Sequence, residues 1–427
     1  MVTATKEAEE VPTRPEPLLR FLLSELKPRG RLLTPFNVIS LPIIALGMVL
    51  IVLRFWKGLG AVTNLSNEFP WGLWVGFDVI TGVAFAGGAY VVTFMVYILG
   101  MDTYRPIVKA TVLNGFLAYL FYAGALALDV GRPWNMINPI IGNSFGVSSV
   151  LFLVAWHFLL YMIAELLEFS PVIAQWLGLE RMRRWLHKLT LGAVIFGITL
   201  STLHQSGLGA LYLMTKGKLH PLWFTEFIPI LFLVSSVFAG LSMVIFEGSI
   251  SHKVFSYQID DEHHLKHERI LIGLSRTCAG AMFVYLFLKL LVFIHEQHWE
   301  YLGTAMGNWY LLEVLGFVVL PCFMFLYAAR ALNVRLVQAA SLLTILGIML
   351  NRMNVTIVAF KWDFPNHYYP SWMEVVITMA IILIEIWAFR WIVNRMAVLR
   401  SEPSWAVSTK RRPRLIGLSE VPPSARH

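Results

Sequence analysis

The chain has 427 residues, 57% of them hydrophobic and only 14% charged, with a mean hydropathy of +0.66. A soluble domain carries about 25% charged residues, so a water-soluble globule is excluded, and the net charge of +8 is to be read through membrane topology rather than nucleic acid. Two cysteines, Cys278 and Cys322, are too few for an iron–sulfur cluster, which takes about four thiolates, and they make no disulfide framework.

In chain order, residues 1–17 are polar and proline-rich and read as a disordered tail, without the apolar core of a signal peptide. Residues 18–27 form a short amphipathic segment for the membrane surface, so that 1–36 is a cytoplasmic tail. A span needs about 20 apolar residues. That rule places spans near 37–56, 71–99, 108–128, 148–169, 188–206, 223–248, 269–294, 308–329, 335–357 and 372–394, an all-α polytopic protein with a transmembrane domain over 37–395. Residues 396–427 are a basic tail.

Lysine and arginine collect on the cytoplasmic side of membrane proteins. One set of connections holds Lys27, Arg29, Arg31, Arg105, Lys109, Arg181, Arg183, Arg184, Lys188, Lys253, Lys266, Arg330, Arg335 and Arg395. The other holds only Arg54, Lys57, Arg132, Lys216, Lys218 and Lys361. The asymmetry puts both termini in the cytoplasm and predicts an outer aromatic belt from Trp56, Trp71, Trp74, Trp134, Trp223, Trp309, Trp362 and Trp372. The small-residue run from Gly82 to Ala89 suits close helix packing. The loop over 251–268 carries His252, His263, His264 and His267 and reads as solvated rather than metal-binding.

The stretch 200–223 is where an apolar segment ends in His204, Gln205 and Ser206, followed by Gly207 and Gly209. Ionisable residues inside a bilayer cost roughly 2.5–3.5 kcal/mol each at a helix centre, so they face the bundle interior and pair. Asp78, Asp129, Arg132, His157 and His204 all fall in the outer half of four consecutive spans. Asp129 and Arg132 are three apart and read as a structural pair; Asp78 is expected beside a histidine. His157, Tyr161, Glu165 and Glu168 share one helical face at spacings of four, four and three. That row is read either as a proton relay or, at its inner end, as headgroup pairing with Arg181, Arg183 or Arg184. In the second half of the chain, Glu247 and Arg276 are expected to pair. Glu313, Arg352 and Glu374, with Asn351 and Asn354, form an outer polar cluster that is either a salt-bridge set or a second proton path.

Four motifs carry a resemblance: 200–223, Phe69–Asp78 (FPWGLWVGFD), Leu128–Asn135 (LDVGRPWN) and Val244–Ser249 (VIFEGS). With the spacing of the apolar segments they resemble the NrfD/polysulfide-reductase family of quinone-interacting membrane subunits, of the hydrogenase-2 type, over roughly residues 37–395. The resemblance implies two four-helix bundles of opposite orientation flanked by the first and last spans. It implies a menaquinone or ubiquinone pocket in the first bundle near the outer surface. On that reading His204, Asp78 and His157 line the pocket, with Gln205 and Trp74. It also implies a periplasmic ferredoxin-like iron–sulfur subunit and a catalytic subunit as partners in a bacterial inner membrane, so the chain is not a complete enzyme alone. No haem is expected in this chain, because His157 and His204 differ in depth. A secondary transporter and a b-type cytochrome anchor are the rival readings.

Overall fold

The computed structural model describes residues 18–27, 33–138, 149–259 and 261–399. The tail expected at 1–17 and nearly all of the basic tail lie outside them. Among the described residues, ten helices are long and apolar enough to cross a membrane: Pro35–Lys57, Trp74–Ile98, Asp102–Asp129, Val150–Trp176, Glu180–Thr215, Ile228–Val254, Lys266–His295, Ala305–Ala331, Val334–Val358 and Trp372–Val393. We call them spans one to ten. Among the described residues there is no strand, only an isolated antiparallel bridge between Leu219 and Phe360. The protein is an all-α polytopic membrane protein.

The helices run alternately between two faces. One, the basic face, carries the short connections after spans two, four, six and eight. The other, the motif face, carries 58–73, 130–138, 216–227, 296–304 and 359–371. Spans two to five pack as one bundle and six to nine as another. Span one pairs with span ten, which also leans on span three. Spans two and six cross closely because Gly240 lies on the backbone of Gly87 and Gly88, where any Cβ would collide. The small-residue run therefore does pack a helix pair.

Spans four and five run longer than the sequence expectation. Span five starts at Glu180, so Arg181, Arg183, Arg184 and Lys188 are helical, and it remains α-helical to Leu211. His204 is thus about two turns from the helix end, in the bundle interior. Gly207 and Gly209 do not break the helix, because Gly209 lies against Pro229 and Phe232 of span six, and packing outweighs glycine's low helix propensity. Span four runs through Pro171 to Trp176, which leaves Glu165 and Glu168 well inside it.

The expected tryptophan belt also divides. Trp56, Trp134 and Trp372 are exposed, but Trp74 and Trp223 are interior and donate hydrogen bonds to Glu374 and Glu313. The amphipathic segment is a helix, Leu18–Glu25, tied to the basic end of the domain by Phe21 against Trp176 and Glu25 against Arg395.

Candidate functional site

His204 is 1% exposed and packs between spans three and four, its ring 5.7 Å from that of Tyr119 and 5.5 Å from that of Phe158. Its Nδ1 lies 3.1 Å from the Val154 carbonyl. A carbonyl only accepts, so in the neutral ring Nδ1 carries the hydrogen and Nε2 is left as a bare acceptor. Val154 is four residues into span four, about 6 Å below its motif-face end. The adjacent Gln205 donates to the Val83 carbonyl at 2.7 Å and ties span five to span two.

A column of polar side chains descends from His204 toward the basic face. Tyr119 meets Tyr161 edge-on at 4.7 Å between ring centroids. Tyr161, Glu165 and Glu168 line one small cavity with Tyr90 and Thr93. Glu168 also lines a cavity of about 60 Å³ near the basic face with Lys109, Arg183 and His187. Glu165 is 2% exposed, and its carboxylate sits over Gly115, where a side chain on span three would displace it. Seven buried atoms in the column have no protein hydrogen-bond partner: His204 Nε2, Ser201 Oγ, Tyr119 Oη, Tyr161 Oη, both Glu165 oxygens and Glu168 Oε1. Natively buried polar groups are rarely left so, and each costs about 1–3 kcal/mol if nothing bonds it. The column is therefore suited to hold water and protons. His157 begins the sequence stripe but is only half-buried, with a buried Nδ1 that also lacks a partner.

Asp78 and Trp74 belong elsewhere. Asp78 is 1% exposed, accepts from Thr378 of span ten at 2.9 Å and leaves Oδ1 unpartnered. It meets no histidine, because the wide π-type turns of Trp74–Thr81 aim this part of span two at span ten. Trp74 donates to the Glu374 carbonyl at 3.3 Å. The expected group His204, Gln205, His157, Asp78 and Trp74 thus splits between opposite sides of span two. Nor does Arg132 meet Asp129: Arg132 is exposed, and Arg54 of span one instead holds the Leu128 and Val130 carbonyls at 2.7 and 2.6 Å, closing the end of span three.

The second-bundle set also separates. Glu313 accepts from Trp223 at 2.8 Å, from Asn351 at 2.7 Å and from Asn354. Arg352 is bridged to it by Asn351, binds Ser235 at 2.7 Å and lies 3.6 Å above the Phe232 ring centre. Glu374 is not part of this cluster. It caps span ten through Ser371 and takes bonds from Asn64 and the Tyr368 hydroxyl. Glu247 and Arg276 do not pair among the described residues. Arg276 is exposed, and Glu247 lines a cavity with Glu385 of span ten.

A family model described as "Polysulphide reductase, NrfD" matches residues 61–361. The chain belongs to the NrfD family. It is 42% identical over 88% of its length to 97% of a protein of Nitratidesulfovibrio vulgaris. It is 30% identical over 87% of its length to 94% of the probable Ni/Fe-hydrogenase 2 b-type cytochrome subunit of Escherichia coli. The menaquinone reductase integral membrane subunit of Nitratidesulfovibrio vulgaris is 28% identical, over 74% of this chain and 80% of that one.

On the motif face of this NrfD chain, His220 is caged by Trp223, Tyr301 and Trp362, with the Trp362 ring centre at 4.7 Å. Burial, with nearby His298 adding repulsion, pushes its pKa down to about 4. His298 is also lowered by burial, although Glu296 at 3.1 Å opposes the shift. His220 accepts from the Leu222 amide and orders the turn that leads into span six.

Sequence reading missed Tyr119 and Ser201 in the column and Glu385 in span ten. Glu385 stands alone in an apolar run, a signal as strong as that of Glu165. Tyr119 and Ser201 gave no such signal, since either residue type is common in packed helices.

Proposed function

We propose that this protein is the quinone-reactive membrane subunit of a respiratory oxidoreductase, exchanging electrons between an iron–sulfur partner on the motif face and a membrane quinone. The observation that carries this reading is the buried His204, with its bare Nε2 at the head of a column of unpartnered polar atoms. Relatives named as a hydrogenase-2 subunit and a menaquinone reductase subunit support it. The partners are then a ferredoxin-like iron–sulfur protein and a catalytic subunit. The membrane is the bacterial inner membrane, with the basic face cytoplasmic, both termini with it, and the motif face periplasmic.

On this reading, quinone approaches from the lipid beside span four, where His157 is half-buried, and its carbonyl end meets His204. Reduction takes two electrons from the partner and two protons. Protonated His204 donates one proton at Nε2, while the Nδ1–H bond to Val154 holds the ring in place. In quinol oxidation the neutral Nε2 accepts a proton instead. Tyr119, Tyr161, Glu165 and Glu168 resupply or drain His204 from the basic face. Asp78 and Trp74 position span two against span ten rather than touching the ring.

On this reading the chain carries no haem and takes its electrons from the iron–sulfur partner. An absorption spectrum of the purified subunit should show no Soret band.

The test is quinone reduction by the assembled complex carrying His204→Ala or His204→Gln, with reduced methyl viologen as donor. Both variants should insert, assemble and lose quinone-linked turnover by about a hundredfold or more. Wild-type turnover in either assembled variant overturns the assignment.

A further inference from the structure

A second set of carboxyl groups lies outside the column, along the seam where span ten meets spans two, three and six. Glu247 of span six and Glu385 of span ten line one cavity of about 20 Å³, enough for a water molecule, together with Asn114, Gly115 and Tyr122 of span three. Glu247, Thr111 and Asn114 also line a second cavity of about 90 Å³, which opens toward the basic face beside Ser251, His252 and His267. The rings of His252 and His267 stack at 3.8 Å at that mouth.

Above the glutamates, the Tyr122 ring rests on Gly82, one turn below Asp78, where only glycine leaves room for it. Thr378, which holds Asp78, and Glu385 are seven residues apart, so they share a face of span ten about 10 Å apart in depth. Asp78 is 1% exposed, and its Oδ1 is buried without a protein partner. Toward the motif face, Arg54 holds the Leu128 and Val130 carbonyls on either side of Asp129. A fixed guanidinium repels an arriving proton, so the row is open at the basic face and closed at the other.

We propose that this seam is a proton-loading half-channel, separate from the His204 column, in which Glu247 and Glu385 pass protons from the basic face to Asp78. Each step moves one proton from a carboxylic acid to the next carboxylate, through Tyr122 or a water, and no electrons move. The His204 column serves the protons of quinone chemistry. The seam loads a proton that crosses the membrane only when the Arg54 end opens. The inference rests on the quinone reading for its driving force, and its test separates the two.

The complex is purified with its partner subunits and sealed in vesicles holding a trapped pH indicator. Reduced methyl viologen is the donor and 2,3-dimethyl-1,4-naphthoquinone the acceptor. Glu385→Gln and Glu247→Gln should each keep naphthoquinone reduction within about twofold of wild type while at least halving protons moved per electron. Glu165→Gln should instead slow the reduction itself. A chemical readout accompanies this, since dicyclohexylcarbodiimide attacks protonated carboxyl groups in apolar surroundings. Mass spectrometry should find it on Glu247 or Glu385, less so as the pH at the basic face rises.

Wild-type protons per electron in both Gln variants overturns the proposal. So does a wild-type complex that moves no protons beyond those of quinone chemistry. Loss of quinone reduction in parallel with proton movement places the seam in the quinone path and equally overturns it as a separate one. Failure of the His204 variants to affect reduction bears on the quinone reading alone.

Discussion

The two bundles bury similar polar residues and treat them in opposite ways. In the second bundle, Glu313 has three donors and Arg352 is held by Asn351, Ser235 and the Phe232 face. Among the atoms of that cluster only Arg352 Nε lacks a partner. In the first bundle, His204, Ser201, Tyr119, Tyr161, Glu165 and Glu168 bring acceptors and donors into one column and leave them open. A satisfied cluster fixes helix positions and has no free site at which to exchange a proton. An open one gives up stability to keep such sites. The function proposed above takes the second bundle's Glu313 cluster as scaffold and the first bundle's column as working machinery.

Breaking the scaffold should give the largest effect. Glu313→Ala strands the Trp223 N–H, Asn351 and Asn354, and removing one partner from a buried charged network costs about 3–5 kcal/mol. Most of the protein should fail to accumulate, and the remainder should unfold at much lower detergent denaturant concentration. A Glu313→Ala protein as stable as wild type would erase the contrast between the bundles.

Glu165→Gln tests the open side. Its oxygens bond no protein group, so stability should change by no more than about 1 kcal/mol. Quinone turnover should fall about tenfold or more if the column relays protons. Unchanged turnover at unchanged stability would make the column mere packing.

Trp309→Phe removes one hydrogen bond, from Trp309 to Asn354 at 2.9 Å, at the edge of the scaffold cluster. About 1 kcal/mol of stability should be lost, with quinone turnover intact. A loss of turnover without loss of stability would give the Glu313 cluster a chemical role after all.

The smallest effect is a pH dependence on the motif face. His220 takes its proton near pH 4 in the folded chain, against about 6.5 when unfolded. Its stabilisation is therefore full above pH 6.5 and declines as the pH falls from 6.5 toward 4. His220→Phe, which keeps an aromatic ring in the Trp362 cage, should flatten thermal stability across that window. An equally steep profile in the variant would assign the dependence to other groups.

Which elements were legible from sequence follows from the range of the forces involved. The stripe of Tyr161, Glu165 and Glu168 could be read because helical periodicity is local, and the structure keeps all three facing one cavity. Polarity reads as a stop signal at 206 and 169, yet the helices run on to Leu211 and Trp176. Backbone hydrogen bonding continues through polar residues whenever a neighbouring helix takes them in, as spans two to four do for His204 and Gln205. The pairings expected for Asp78, for Asp129 with Arg132 and for Glu247 with Arg276 failed for a related reason. Proximity in sequence or in depth does not say which way a helix is rotated: Asp78 bonds Thr378, Arg54 bonds the carbonyls on either side of Asp129, and Glu247 shares a cavity with Glu385.

Sequence alone determined the ten spans and the family motifs, because apolar length and signature residues are properties of contiguous chain. The tertiary structure alone decided which buried groups are satisfied and which are left open. That outcome depends on helix rotation and register, set by contacts such as Gly240 on Gly88 that join residues far apart in the chain.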